Sequence, residues 1–288
     1  MRAALAAAIV AAWLGAAASV DAFQKETTDD PDCTEGPGIN CAHRGTPLFW
    51  NVFPVRFFIN SDESGLAFST VGDAVSRAFS TWQGASNGGI VFELGGQSHK
   101  TSDGQDGCNT ILWQSLGKNS VDTFAQSILT YDRDAGEIFD VDIEMNSDFQ
   151  FAVLPAGESD PFDPRPDLQG VSTHEAGHLL GLAHENRFGP AVVMFFSDTS
   201  GDTVHRSLTS DDQSGVLSIY PSRAVTGVGT NTDCLGASGG GGGGHGGGCA
   251  LSASRSATEL WPVGLVLAWL ARRRRILAVV ARRAALVP

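Results

Sequence analysis

Residues 46–146 contain several short apolar runs and one longer stretch in which the apolar residues have helical spacing. Residues 55–60 (V-R-F-F-I-N), 90–94 and 110–113 are short apolar runs, which are typical of buried strands. Between the first two, residues 69–82 place apolar side chains three or four positions apart, which predicts an amphipathic helix. The apolar stripe of this helix consists of Val71, Val75, Ala78, Phe79 and Trp82. The order strand, helix, strand, strand predicts a domain of the α/β class.

Two further strands are predicted around the turn-rich segment D-R-D-A-G-E, residues 132–137. Residues 126–131 and 138–145 flank this segment, so the three together predict a β-hairpin and a mixed sheet. In the second strand, Phe139, Val141, Ile143 and Met145 alternate with Asp140, Asp142, Glu144 and Asn146. This period of two predicts apolar side chains that face the core and acidic side chains that face solvent.

The charge of the chain is unevenly distributed. The net charge is -13, but residues 250–288 hold seven arginines and one glutamate, so they carry +6 and the first 249 residues carry -19. Such an acidic main body argues against nucleic acid and anionic membrane surfaces as its partners. We interpret it as the soluble, acidic exterior of an exported protein.

The beginning of the chain has the composition of a secretory signal peptide, residues 1–22. Arg2 supplies a positive start, residues 3–18 are an apolar run, and small residues precede the expected cleavage site. We expect cleavage after Ala22, with Ala18 as the alternative.

The end of the chain loses the pattern of a folded domain. Residues 223–248 include a glycine-rich linker that cannot bury a core. The tail that follows, residues 249–288, contains the apolar run 260–271. This run is short for a membrane span, so the tail could instead lie in the membrane interface.

The candidate chemistry lies in the segment H-E-A-G-H-L-L-G-L-A-H, which starts at His174. On a helix, His174 and His178 share one face, where two imidazoles can bind one metal ion. Glu175 lies beside them and can reach a water molecule on that ion. Gly181 can adopt the positive φ that ends a helix, and the turn can bring His184 back to the metal. Three neutral histidines with one open position are the arrangement of a catalytic zinc.

This segment resembles the metzincin signature H-E-x-x-H-x-x-G-x-x-H at every fixed position. Met194, in P-A-V-V-M-F-F, stands ten residues after His184 and is similar to the methionine that metzincins carry in a turn beneath the metal. Residues 208–221, L-T-S-D-D-Q-S-G-V-L-S-I-Y-P, look like the closing helix of the matrixin branch. Within it, Asp211 and Asp212 match the acidic pair that ties this helix to the core of the family. The alternative is that they only supply favourable negative charge at the N-terminus of the helix.

The resemblance implies a zinc-dependent endopeptidase domain over residues 46–222. Its expected fold is a metzincin-type α+β domain, with a twisted mixed five-stranded sheet, an antiparallel edge strand, an active-site helix and a C-terminal helix. Residues 126–131 are then the edge strand that pairs with an extended protein or peptide substrate. Glu175 is expected to be the general base, and Met194 to support the metal site without touching the substrate. The protein is expected to be a monomer.

Export permits disulfides, and the chain has five cysteines. We expect a local bridge between Cys33 and Cys41 in the N-terminal segment 23–45. A long-range bridge between Cys108 and Cys234 is one of the pairings that four cysteines allow. The residues around the two N-terminal cysteines do not resemble the thiol switch that keeps some matrixins latent.

The insertion 155–167, just before the active-site helix, contains Asp160, Asp163 and Asp167. Oxygen-rich loops can bind calcium, but these aspartates lack a regular ligand spacing. A solvated loop is preferred, and calcium stays a possible but unassigned cofactor beside zinc.

The tail 249–288 resembles the myxobacterial C-terminal sorting tail in the order of its parts. A glycine-rich linker, Cys249, an apolar segment with two tryptophans and the arginines 272–275 follow one another. The resemblance implies an exported protein with a transient membrane anchor that is cut near Cys249, and a mature form on the cell surface or released. Thirteen residues follow the arginines, which departs from such tails. The alternative is that residues 257–288 form part of the folded domain.

Two other functions stay open at the level of sequence. A zinc hydrolase could act on the peptide cross-links of a cell wall, and a surface adhesion protein could use the same scaffold without catalysis. Glu175 argues against the second, because a purely structural metal site has no need of a general base.

Overall fold

The computed structural model describes residues 23–29, 36–41, 43–102, 104–120, 122–157, 159–221 and 234, and the backbone of residues 279 and 280. The strands in this part are β1 (Thr27–Asp29), β2 (Arg44–Pro47), β3 (Val55–Ile59), β4 (Phe92–Gln97), β5 (Thr110–Gln114), β6 (Ala125–Tyr131), β7 (Ile138–Asn146) and β8 (Val279–Val280). The helices are α1 (Phe68–Ala85), α2 (Leu168–Leu179) and α3 (Ser210–Ile219), with short 3₁₀ turns at Lys118–Ser120 and Val204–Arg206.

Strands β3 to β7 form one mixed sheet in the order β4-β3-β5-β7-β6. β3 runs parallel to β4 and β5, β5 runs parallel to β7, and β6 is antiparallel to β7. The predicted hairpin is closed by Asp132, whose side chain accepts hydrogen bonds from the backbone N–H groups of Asp134 and Ala135. The mixed sheet of five strands with an antiparallel strand pair is therefore confirmed, and a short sixth strand, β8, is added beyond β6. β8 pairs with Leu129 and Thr130 on the outer edge of β6.

Helix α1 packs its apolar stripe against α2 and one face of the sheet. All five residues predicted for the stripe are buried, and each valine or phenylalanine among them contributes about 1.5–3 kcal/mol. Phe79 contacts the rings of Phe57 in β3 and Phe92 at the start of β4. The indole N–H of Trp82 donates to the carbonyl of Thr173 in α2 at 2.7 Å, which fixes the two helices together. The predicted helix is confirmed, and it is longer by one residue at its start and three at its end.

The prediction that the acidic side chains of β7 face solvent was wrong. Asp140, Asp142 and Glu144 are only 2–3% exposed, whereas Phe139 is 38% exposed. The loop before β5 covers this face, and its backbone N–H groups donate to the carboxylates of Asp140 and Asp142, for example from Gly104 at 2.8 Å. Burial and mutual repulsion raise the pKa of Asp140 to about 7, and burial raises the pKa of Asp142 to about 6. The alternation indicated two faces correctly, but a distant loop covers the acidic one.

A disulfide joins Cys108 to Cys234, as the long-range pairing proposed. It packs with Phe58 of β3, and the Ser98 hydroxyl donates to the carbonyl of Cys234 at 3.1 Å. Cys41 is also disulfide-bonded, but Cys33 lies outside the described residues, so that pairing stays a prediction.

The predicted signal peptide, most of the linker and nearly all of the tail lie outside the described residues. In the part of the chain that the structure describes, no helix is both long enough and apolar enough to span a bilayer.

Candidate metal centre

Helix α2 begins at a buried cap and runs through the interior. The Asp167 carboxylate accepts a hydrogen bond from the backbone N–H of Gly170 at 2.8 Å, which fixes the first turn. Apart from Gln169, every residue of the helix is buried. A helix without a solvated face keeps its polar side chains inside the protein, so His174 and His178 are at most 1% exposed.

Helix α2 ends just before Gly181, where the chain reverses. Gly181 has a φ of +90°, and a Cβ there would lie 2.3 Å from the carbonyl oxygen of Leu48, so both the turn and the space require glycine. The reversal brings the Nε2 atom of His184 within 3.2 Å of the Nε2 atoms of His174 and His178, which are 3.0 Å apart. The structure therefore brings the three predicted ligands together.

The outer nitrogens of two of these rings contact backbone carbonyls. His174 Nδ1 lies 2.6 Å from the oxygen of Val193, and His178 Nδ1 lies 2.8 Å from the oxygen of Leu182. Because a carbonyl oxygen only accepts, each Nδ1 carries the proton and each Nε2 presents its lone pair. Burial and the neighbouring imidazoles also hold the pKa of His174 well below its usual value, so the ring stays neutral. Lone pairs that converge in this way repel one another unless a cation lies between them.

The three nitrogens fit one tetrahedral zinc ion. With zinc–nitrogen bonds of about 2.0–2.1 Å, tetrahedral geometry separates the ligand atoms by about 3.3 Å. The observed separations of 3.0–3.2 Å are close to this value. Among the described residues, no other three His, Cys, Asp or Glu side chains bring their ligand atoms comparably close.

The aspartates of the 155–167 loop have other partners. Asp163 pairs with Arg165, Asp160 accepts from the backbone N–H of Phe162, and Asp167 caps α2. Nothing in the described part of the chain therefore assigns a calcium site.

Glu175 is buried in α2 and contacts the edge strand β6. Its Oε2 atom lies 2.6 Å from the hydroxyl of Ser127, while its Oε1 atom has no hydrogen-bond partner among the described residues. Burial raises the pKa of Glu175 to about 8, and the hydrogen bond from Ser127 opposes that rise. A cation held by the adjacent histidines would favour the carboxylate form.

Met194 packs against α2 at Gly177. A Cβ at Gly177 would lie 2.2 Å from the Met194 sulfur, so the glycine makes room for the methionine. The carboxylate of Asp212, in α3, accepts hydrogen bonds from the backbone N–H groups of Val193 and Met194 at 3.2 and 3.3 Å. Of the predicted acidic pair, Asp212 ties α3 to this turn, and the oxygens of Asp211 have no hydrogen-bond partner among the described residues.

Comparison with known proteins agrees with this geometry. The profile of the Matrixin family matches residues 49–221, which is more than half of the chain. The chain belongs to the matrixin family.

Two named relatives are similar over shorter stretches of this matrixin. Matrix metalloproteinase-C of Caenorhabditis elegans is 40% identical over 57 residues, which are 19% of this chain and 10% of that protein. Metalloendoproteinase 1-MMP of Arabidopsis thaliana is 37% identical over 87 residues, which are 30% of this chain and 20% of that protein. The matched stretches thus span a fifth or less of these relatives.

Several residues around the centre of this matrixin were missed by sequence analysis. His205 is 1% exposed, and its ring stacks on that of His174 with the centroids 6.3 Å apart. Its Nε2 atom lies 2.9 Å from the carbonyl of Pro190. Burial lowers the pKa of His205, but the carboxylates of Asp198 and Asp212 and the carbonyl of Pro190 together outweigh this, and the pKa is raised overall. The sequence shows His205 only as an isolated histidine.

The N-terminal segment 23–29 was also not expected at the site. Glu26 donates its backbone N–H to the carbonyl of Gly181 at 2.8 Å, and Ala183 donates to the carbonyl of Gln24 at 3.1 Å. These hydrogen bonds hold the segment against the turn at Gly181, which brings His184 close to the other two histidines. The Glu26 carboxylate is buried, with one oxygen 3.6 Å from Nδ1 of His178.

Proposed function

We propose that this matrixin is a zinc-dependent endopeptidase. The observation that carries the proposal is the convergence of the Nε2 atoms of His174, His178 and His184 beside a buried glutamate. These histidines hold the zinc ion, and Glu175 is the general base. Membership of the matrixin family supports the same assignment.

The residues around the ion have separate tasks. When bound, zinc supplies a Lewis acid that acidifies water and polarises a peptide carbonyl. Glu175 accepts a proton from the attacking water through Oε1 and passes it to the leaving amine. The carbonyls of Val193 and Leu182 hold two of the imidazole rings in the ligating tautomer. Met194 packs against Gly177 and supports the centre without touching the substrate.

The edge strand β6 is the proposed binding site for an extended protein or peptide. Its backbone offers hydrogen bonds along one side, and Ser127 connects it directly to Glu175. A peptide added to this edge therefore passes close to the general base. In the full chain, β8 pairs with the same edge at Leu129 and Thr130, so substrate has to displace it there.

Zymography with casein and a comparison of Glu175→Ala with the parent protein test this function. Glu175→Ala removes the base and keeps the three ligands, so it should bind one equivalent of zinc and lose activity by about 10²–10⁴-fold. Chelators should abolish the activity of the parent. Near-normal turnover by Glu175→Ala would overturn the mechanism. Activity on cell-wall peptides alone would favour the cell-wall hydrolase, and bound zinc without any hydrolysis would favour a non-catalytic adhesion protein.

We also propose that the protein acts outside the cytoplasm as a monomer. Residues 1–22 are removed as a signal peptide, residues 46–222 form the catalytic domain, and the tail is a transient anchor that is cut near Cys249. Such a cut would also remove β8 and free the outer edge of β6 for substrate. Intact-mass measurement on protein from the native host tests this, because a soluble species that retains residues 260–288 contradicts it.

A further inference from the structure

Ser127 is a polar residue in an apolar row of the edge strand. Its neighbours on the same face of β6 are Ala125, Leu129 and Tyr131, which are at most 1% exposed. Ser127 itself is 0% exposed, so its hydroxyl is removed from water completely. Burying a hydroxyl is costly unless it is hydrogen-bonded, so its partner explains its presence there.

The partner of this hydroxyl is Glu175. Ser127 Oγ lies 2.6 Å from Oε2 of Glu175 and 3.4 Å from the backbone oxygen of the same residue. The shorter contact has the length of a hydrogen bond from a hydroxyl to a carboxylate, which is a strong class of hydrogen bond. The backbone of Ser127 is also held in place, because Ser127 pairs with Ile143 of β7 in the sheet. The edge strand therefore holds one oxygen of Glu175 rigidly.

Anchoring one oxygen makes the two oxygens of Glu175 unequal. Oε2 is occupied by the serine, whereas Oε1 is buried without a hydrogen-bond partner among the described residues. A glutamate side chain has three rotatable bonds, and a general base works only when its oxygen lies within hydrogen-bond reach of the proton that it accepts. The hydrogen bond from Ser127 restricts rotation about these bonds, and it leaves Oε1 as the oxygen that accepts the proton.

We propose that Ser127 is the positioning residue of the general base, an assignment that rests on the proposed role of Glu175. Ser127 acts through the carboxylate and does not touch substrate. Its loss therefore lowers kcat and leaves KM unchanged. A loss on the order of tenfold in kcat is expected, the size of effect that accompanies a hydrogen bond to a charged group.

The test compares Ser127→Ala with Ser172→Ala in the full chain. Ser172 is a matched control, because it is also 0% exposed and its hydroxyl has no hydrogen-bond partner among the described residues. Both variants should bind one equivalent of zinc. Ser127→Ala should show a kcat about tenfold below that of the control with KM within twofold. Ser127→Cys, which keeps a weak donor of similar size, should lie between the two and serves if the alanine variant does not fold.

A second comparison separates positioning from a general structural effect. In a Glu175→Gln background the carboxylate is gone, so adding Ser127→Ala should change the residual kcat by less than twofold. Crystal structures should show Glu175 in its parent position in Ser172→Ala and displaced, or in several conformers, in Ser127→Ala. The inference is overturned if Ser127→Ala keeps the kcat of the control, or if its full effect persists in the glutamine background. Failure of the proposed function is a different result, namely normal turnover by Glu175→Gln.

Discussion

Replacing Asp167 by alanine should destabilise the domain more than any surface substitution. Asp167 is 0% exposed, and both of its carboxylate oxygens are engaged. One oxygen accepts from the backbone N–H of Leu154 at 3.1 Å, and the other accepts from Gly170 at 2.8 Å as the cap of α2. The guanidinium of Arg206 bonds to both oxygens, with its Nε atom at 2.6 Å from one of them.

The magnitude follows from two of these contacts. Losing a helix N-cap costs about 1 kcal/mol. Breaking a buried ion pair by removing one partner costs about 3–5 kcal/mol, because the other charge, here the largely buried guanidinium of Arg206, loses its counter-charge. Asp167→Ala should therefore lower the free energy of unfolding by about 4–6 kcal/mol, a large part of the 5–15 kcal/mol typical of a domain. Asp167→Asn should lose less, because its amide oxygen can still cap α2.

Urea unfolding at a fixed excess of zinc measures these losses, since bound metal contributes to stability. Arg206→Ala and the double variant complete a double-mutant cycle. The double variant should be less destabilised than the sum of the single losses, because it leaves neither charge buried alone. A loss below about 1 kcal/mol for Asp167→Ala, or strict additivity of the two single losses, would refute this reasoning.

Three further predictions test the turn, the acidic strand and the disulfide. Gly181→Ala should lower both thermal stability and zinc affinity, because its Cβ would lie 2.3 Å from a backbone carbonyl oxygen. Gly189→Ala is the control, since Gly189 has a similar positive φ and open space around it. The control should lower the free energy of unfolding by only about 1–2 kcal/mol. Asp140 has a pKa raised to about 7, so the folded state holds a proton that the unfolded state has lost, and stability falls as the pH rises from about 4 to 7. Asp140→Asn removes the cost of ionising this buried carboxyl. In urea titrations, the stability of the variant relative to the parent should therefore increase between pH 5 and pH 8. If the difference in stability between variant and parent stays the same over this range, the raised pKa of Asp140 is contradicted. Replacing both Cys108 and Cys234 by serine opens a loop of 126 residues. The free energy of unfolding, measured without reductant, should fall by up to about 5 kcal/mol. A loss below about 1 kcal/mol would show that the disulfide is not needed for stability.

The parts of the fold that sequence analysis predicted are those that depend on local spacing. The stripe of α1 and the β6–β7 hairpin follow from periods and turn residues within a few positions of one another. The three histidines are similarly local, because a helical spacing of four and one glycine turn bring them together within eleven residues. The long-range disulfide is a different case, since it was only one of several possible pairings.

The errors and omissions arise from contacts between distant segments. The acidic row of β7 has the period of a solvated face, and only the loop before β5 shows that it is covered. Ser127 lies 48 positions before Glu175 along the chain, so its hydroxyl has no local signal that distinguishes it from any serine in a strand. His205 and the segment 23–29 also lie at the centre because of contacts with backbone groups that are distant along the chain. A periodic sequence pattern gives no sign of such contacts.

The orientation of the first histidine depends on a helix that lies outside the signature motif. His174 donates from Nδ1 to the carbonyl of Val193, an acceptor that no substitution of the valine side chain removes. The position of that carbonyl is set by its backbone, whose N–H groups at Val193 and Met194 are held by Asp212. Asp212 in turn belongs to the capping box of α3, where its carboxylate also accepts from Thr209. One carboxylate therefore holds both the start of α3 and the backbone segment whose carbonyl accepts from His174, which gives a physical reason for the closing helix to belong to the candidate metal centre.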